Sequence, residues 1–321
     1  MNRRRFQQAV AALPLAVAAT RGRAQIPGDK AIQFIVPFGP GGSGDITARM
    51  LAEFITRRTG RGAVVENRPG ANGIVGVEAA KKGAADGTVL LLATTSTHSA
   101  NPSLFRKLPY DPERDFRLVG SFGTGSSFML VRPDAPWKTL AEFVQAARAA
   151  PGKLHFGHFN ASSQVPGPLL SQMAGIELTA VPYKQIANAM TELISGQIQV
   201  IFVDSIAGDS FVASGQLRAL AAMGERRLPK YPQVPLMSET YPLYNVTGFL
   251  GVAVPAATPA PVQQVLNDLV NEAVTSEPMK SRLEGFGFFP RRMSLAELAD
   301  FDRDGRARWR QYVAIARIEP Q

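Results

Sequence analysis

From Ala31 onward, short apolar runs alternate with segments of helical period. That alternation confines the chain to an α/β architecture with largely parallel strands, because parallel neighbours need helical crossovers to connect them. Ile32 to Val36 reads as the first strand. After a Gly/Pro turn, Ile46, Met50, Leu51, Phe54 and Ile55 fall at helical spacing up to Thr59-Gly60. Ala63 to Glu66 and Thr88 to Ala93 read as the next strands, separated by the turn Asn67-Arg68-Pro69-Gly70 and a helix from Val75 to Lys81. A second unit starts at Ser127 to Val131, and Thr139-Leu140-Ala141-Glu142 is a capping box opening a helix. Leu154 to Gly157, Thr179 to Val181, Ile198 to Val203 and Leu217 to Met223 follow as strands. After the strand Thr247 to Val254, Val262, Val265, Leu266, Leu269, Val270, Ala273 and Val274 form a helical stripe, and Ser294-Leu295-Ala296-Glu297 caps a last helix. Ser127 to Val131 and Thr247 to Val254, flanked by Pro/Gly-rich loops, are read as crossings between two lobes with a ligand site between them.

The 321 residues are 45% hydrophobic, which is enough for a sizeable core, and no run approaches the ~20 apolar residues a bilayer-spanning helix needs. There are no cysteines, so disulfides, thiol catalysis, Cys-ligated zinc and a lipidated Cys are excluded. The formal charge of +9 suggests nucleic acid until its location is examined. Arg3, Arg4, Arg5, Arg21 and Arg23 all lie before Gln25, around an apolar run from Ala9 to Ala19 and a small-x-small Gly22-Arg23-Ala24 site. Residues 1–24 therefore read as a secretory leader, whose Asn2-Arg3-Arg4-Arg5-Phe6 start fits the twin-arginine as well as the general route. Without them 30 basic residues face 26 acidic ones, a mildly basic exported protein for which no nucleic-acid partner is expected.

Three polar segments at strand ends carry the candidate chemistry. Pro37-Phe38-Gly39-Pro40-Gly41-Gly42-Ser43-Gly44-Asp45 joins the first strand to the first helix, where close backbone approach and unpaired N–H groups suit a carboxylate or phosphate. Gly39, Gly41 and Gly44 also satisfy G-x-G-x-x-G, with Glu66 about where a ribose-binding acid belongs, but Pro40 and export weigh against a dinucleotide. Thr94-Thr95-Ser96-Thr97-His98-Ser99-Ala100-Asn101-Pro102 reads as a polar loop after a strand, and Gly157-His158-Phe159-Asn160-Ala161-Ser162-Ser163-Gln164 as its counterpart. Asp204-Ser205 ends another apolar strand, where the carboxylate suits an amine, a water or a helix cap. His155 and His158 fall on opposite faces of a strand, so no metal is expected. A Ser43, His98 and Asp204 triad stays open as a hydrolase alternative. The tail bearing Arg303, Arg306, Arg308 and Arg310, diluted by Asp300, Asp302 and Asp304, reads as a solvated helix face.

In order and spacing, P-F-G-P-G-G-S-G-D at 37–45, E-N-R-P-G-A-N-G-I-V-G at 66–76 and A-A-D-G-T at 84–88 form a specific signature. It continues with T-H-S-A-N-P-S-L-F-R-K-L-P-Y-D-P-E-R-D-F at 97–116, V-P-Y-K at 181–184 and L-I-S-G-Q-I-Q-V at 193–200. The chain resembles the periplasmic solute-binding proteins of tripartite tricarboxylate transporters, the Bug family, over nearly all of its length after the leader. The resemblance implies a two-lobed, flytrap-like fold of the type II periplasmic class, divided as lobe 1 (25–125), lobe 2 (126–229) and a return to lobe 1 with C-terminal helices (230–321). It implies a non-catalytic monomer without cofactor that closes on a small organic carboxylate: a di- or tricarboxylate, an aromatic acid or an amino acid. The ligand would pass to the membrane subunits of a transporter, or the closed form would be presented to a receptor as a sensory module. Carried over, the ligand carboxylate meets Phe38, Gly41, Gly42, Ser43 and Asp45, with Thr95, Ser96 and Thr97. The opposing lobe supplies Asn160, Ala161, Ser162 and Ser163, with Tyr183 and Asp204 nearby. Three departures fall in the second lobe: Pro166 where a His is common, Gln185 where a Gly usually follows P-Y-K, and Val203-Asp204-Ser205 in place of F-D-N.

Overall fold

A computed structural model describes residues 29–321; the expected leader, residues 1–24, and its expected cleavage site lie outside the described residues. The chain opens with β1 (Ile32–Val36), α1 (Ser43–Thr59), β2 (Ala63–Asn67), α2 (Ile74–Lys81) and β3 (Val89–Thr94). β1 pairs in parallel with both β2 and β3, as the βαβαβ pattern requires. A π-helical turn, Thr95–Ala100, and the short α3 (Asn101–Leu104) and α4 (Pro112–Asp115) lead to β4 (Phe116–Gly125). The second series runs β5 (Ser127–Val131), α5 (Leu140–Ala149), β6 (Leu154–His158), α6 (Ala161–Gln164), α7 (Pro166–Ala174), β7 (Leu178–Pro182), α8 (Ile186–Ser195), β8 (Val200–Asp204), α9 (Ser205–Ala213) and β9 (Arg218–Met223). After α10 (Met237–Thr240) come β10 (Gly248–Pro255), α11 (Ala260–Thr275), α12 (Met279–Gly285), β11 (Phe288–Phe289) and α13 (Leu295–Ile315).

These strands form two sheets, ordered β11-β4-β10-β3-β1-β2 and β7-β6-β8-β5-β9, each flanked by helices: a two-lobed α/β fold. The sheets are mixed rather than largely parallel. β10 runs antiparallel to β3 and β4, and β5 antiparallel to β8 and β9, because the strand that follows each lobe crossing enters its sheet against the βαβ strands. The crossings themselves also differ from expectation. The chain changes sheet at Ser126, between β4 and β5, and returns through residues 224–247, so β5 and β10 lie wholly within their sheets.

Each sheet buries apolar side chains on both faces. Leu51, Ile55, Phe122 and Leu266 belong to a cluster on one side of the first sheet, and Val77, Leu91 and Phe116 to a cluster on the other. Burying each large side chain of this kind contributes roughly 1.5–3 kcal/mol. The predicted capping boxes at Thr139 and Ser294 are both formed. α13 begins in the first sheet's core through Leu298 and ends in the second's, where Trp309, Tyr312 and Val313 join Phe143 and Leu169. Arg303, Arg308 and Arg310 lie on the exposed face read from the sequence, while the opposite face is buried: Trp309 is 3% exposed, and Arg306 is held in ion pairs with Asp302 and Glu113.

Candidate ligand-binding site

A cavity of about 830 Å³ lies between the two sheets, lined by the loops that follow β1, β2 and β3 on one side and β6, β7 and β8 on the other. On the first side, Gly41 has a φ of +82°, and its N–H donates to Asp45 Oδ2 at 3.1 Å. Asp45 also accepts from Arg49 Nε at 3.0 Å, and Arg49 reaches Asn67 Oδ1, whose amide in turn donates to the Phe38 carbonyl. Burial acts to raise the Asp45 pKa, but the hydrogen bonds from Arg49, Gly41 and Asn67 outweigh it and leave the carboxyl below its ordinary range. The carboxylate thus braces the glycine loop. The N-cap of α1, Gly42, supplies no side-chain cap, so the first-turn N–H groups of a 17-residue helix are left for a ligand at the cavity wall.

Behind this wall sits the Thr95–Ala100 turn, which the sequence suggests is a polar loop. It is a buried π-helical turn, opened by a capping box between Thr94 and Thr97. Thr95 lines the cavity but commits its hydroxyl to β10, accepting from Phe249 N–H at 2.7 Å. Ser96 Oγ accepts from Ser162 N–H at 3.0 Å and donates to Ser162 Oγ at 3.1 Å, a direct link across the cavity. Thr97 turns away from the cavity to bond Thr94 and His98. Tyr110 OH donates to the Thr97 carbonyl, and Asn101 Nδ2 donates both to Tyr110 OH and to the Asn72 carbonyl, tying the turn to the loop after β2. That loop brings Asn72, at φ +55°, to the cavity wall, a contribution that an E-N-R-P-G-A-N-G turn motif did not reveal.

The facing wall is built by helix starts. Asn160 caps α6, accepting from Ser163 N–H at 2.9 Å, while Ser163 Oγ accepts from the N–H groups of Phe159 and Asn160. Ala161 is fully buried and does not reach the cavity. Asp204 caps α9, accepting from Ala207 N–H, and its other oxygen accepts from Ser43 Oγ at 3.0 Å across the cleft. Burial raises the Asp204 pKa against the opposing hydrogen bonds from Ala207 and Ser43. Tyr183 lines the same wall.

Of the fourteen predicted contacts, Phe38, Gly42, Ser43, Asp45, Thr95, Ser96, Asn160, Ser162, Ser163, Tyr183 and Asp204 line the cavity, whereas Gly41, Thr97 and Ala161 stand behind it. The triad does not assemble. Ser43 bonds Asp204 directly, while His98 lies off the cavity, fully buried against Phe116, with its pKa lowered to about 3 by burial and then by Arg306. The dinucleotide reading loses its acid, since Glu66 is engaged by Arg68 and Gln33 away from the cavity. Among the described residues, Lys184 is the one Lys or Arg on the cavity wall, and no cluster of three His, Cys, Asp or Glu could hold a metal ion.

The family model described as "Tripartite tricarboxylate transporter family receptor" matches residues 47–317. The chain belongs to that family. It is 32% identical over 284 residues to the protein BugT of Bordetella pertussis, covering 87% of this chain and 86% of BugT. The solved structure of Rpa4515 of R. palustris with adipate superposes with a TM-score of 0.88 at 27% identity, covering 91% of this chain and 99% of that one. MatC of Rhodopseudomonas palustris with bound malate gives 0.83 at 26% identity, with 88% and 99% coverage. As a family receptor, the chain is a solute-binding protein with the two-lobed fold of its structural neighbours.

Proposed function

We propose that this receptor works in the periplasm, captures a small organic carboxylate in the interlobe cavity, and hands it to the membrane subunits of a tripartite tricarboxylate transporter without chemical change. The observation that carries the reading is the cavity wall itself. Uncapped helix N–H groups at Gly42 and Ser43 face a space large enough for a small diacid, and the cation-poor lining leaves backbone donors and the dipole of α1 to hold the anion. The leader supports export, and the adipate and malate held by two similar proteins support the ligand class. In this reading Gly42 and Ser43 contact the carboxylate, and Gly41 and Asp45 fix their loop. Ser96, Asn160, Ser162, Tyr183 and Asp204 shape the remainder of the site. Against hydrolysis, Ser43 has no base at its hydroxyl other than Asp204 itself, and His98 is neutral and remote from the cavity.

The test is calorimetric titration of the chain from Gln25, unfolded and refolded once to remove carried-over ligand, against di- and tricarboxylates, aromatic acids and amino acids. One-site saturation by one carboxylate class, with the ligand recovered intact, is expected. Turnover of an ester or amide that Ser43→Ala abolishes would instead establish the hydrolase reading.

A further inference from the structure

Among the described residues, the lobes approach each other across the cavity at Ser43 with Asp204, Ser96 with Ser162 and Gly39 with Gln185. The first two are inward, with buried or half-buried partners. At the third, the exposed side chain of Gln185 lies over the glycine loop, where a β-carbon placed on Gly39 would sit 3.5 Å from Gln185 Oε1 and 3.6 Å from its Cδ. Gln185 occupies the N-cap of α8, yet its side chain makes no capping bond there. Asn160 and Asp204, at the matching positions of α6 and α9, turn back to cap their own helices. Gln185 instead extends across the cleft, leaving the first-turn N–H groups of a ten-residue helix open beside Ile186 and Ala187 on the cavity wall.

We propose that Gln185 is the specificity-determining residue of this cleft. It closes the solvent edge against Gly39 and so limits ligand length, and its carboxamide donates to the ligand group remote from Gly42 and Ser43. The amide carries no charge, so the Gln185 Nε2 hydrogens and the α8 first turn add neutral donors beside Lys184, the one Lys or Arg on the cavity wall among the described residues. An anionic oxygen satisfies both sets at once. A ligand too long to fit beneath the amide displaces it from Gly39, giving up the closing contact. This inference rests on the carboxylate-capture reading and names the residue that selects within that class.

The experiment titrates the chain from Gln25, Gln185→Gly and Gln185→Glu with succinate, glutarate, adipate and pimelate at neutral pH. Because residue 185 is exposed, both variants should keep the wild-type unfolding midpoint within a degree or two, about the scatter of a neutral surface change. The wild type should prefer one length. Gln185→Gly should weaken that ligand about tenfold and move the preference toward longer diacids, and Gln185→Glu should weaken all four by about a hundredfold through repulsion. Folded variants that keep the wild-type length profile overturn the inference while leaving carboxylate capture intact. The same holds if the wild type binds only a carboxylate outside this series. A wild type that binds no carboxylate at all overturns the proposed function and this inference together.

Discussion

At Asp45 a carboxylate that is 5% exposed accepts from Gly41 N–H and Arg49 Nε and pairs with a second Arg49 nitrogen at 2.9 Å, so its charge is spent within the loop. Asp45→Ala should therefore weaken the best carboxylate ligand about tenfold through loss of loop order, the ~1.5 kcal/mol of one charge-assisted hydrogen bond. Unchanged affinity by calorimetry would remove Asp45 from the binding account. Asp204, across the cleft, is shifted the other way. Its pKa is raised by burial, so the folded state holds a proton that the unfolded chain has already lost. Its stabilising contribution is present below the unfolded value near 4 and is lost as pH rises through the raised folded value. Unfolding midpoints followed upward from the unfolded value near pH 4 should thus show a decline in the wild type that is absent in Asp204→Asn, where the isosteric amide retains the helix cap. Equal pH profiles for the two would contradict the shift.

At the scale of elements, most of the fold could be read from periodicity, since the strand runs and helical stripes sit where apolar side chains face the two cores. β4 could not. Its sequence, F-R-L-V-G-S-F-G-T-G, is broken by glycines whose purpose is close approach: a β-carbon at Gly120 would lie 2.2 Å from Val270 of α11, and one at Gly125 would lie 2.2 Å from the Phe288 ring. A pattern of large apolar residues is therefore missing where the packing is tightest. Gly120→Ala should cost about 1–3 kcal/mol by overpacking α11, measurable as a shifted denaturant midpoint with the slope unchanged. The Thr95–Ala100 turn was misread for a related reason. It reads as a polar loop in sequence, but Tyr110 OH, thirteen residues beyond Thr97, satisfies the Thr97 carbonyl and is itself held by Asn101, which lets the turn be buried. Of the candidate site, the glycine loop and the Asp204 cap were legible because cap and turn chemistry is local, whereas Asn160 entered only within a polar loop and through the family resemblance, and its capping of α6 was not read from the sequence. Gln185 and Asn72 reach the cavity only through long-range placement of β7 and β2, which no local spacing encodes.

At the scale of the molecule, the two sheets are joined by more than the chain crossings. α13 packs one end on the first core and the other on the second, and Tyr312 OH donates to the Asn245 carbonyl within the return crossing. Trp309→Ala should cost about 3–5 kcal/mol, because it opens a cavity where α13 enters the second core. A loss under 1 kcal/mol in denaturant titration would show that α13 does not join the two cores. Across the cavity itself the lobes are linked by Ser43 with Asp204 and Ser96 with Ser162, hydroxyl and carboxyl pairs that a ligand can replace or bridge. Since a ligand shifts an open-to-closed equilibrium only by its differential affinity for the two states, capture requires contact with both walls at once. The most direct measurement is a crystal structure of the chain saturated with the carboxylate that titrates best. The account predicts one carboxylate within hydrogen-bonding distance of the Gly42 and Ser43 N–H groups and the remainder of the ligand facing the α6 and α8 wall. A ligand bound outside the cavity, or held there without contact to the α1 N-terminus, would contradict it.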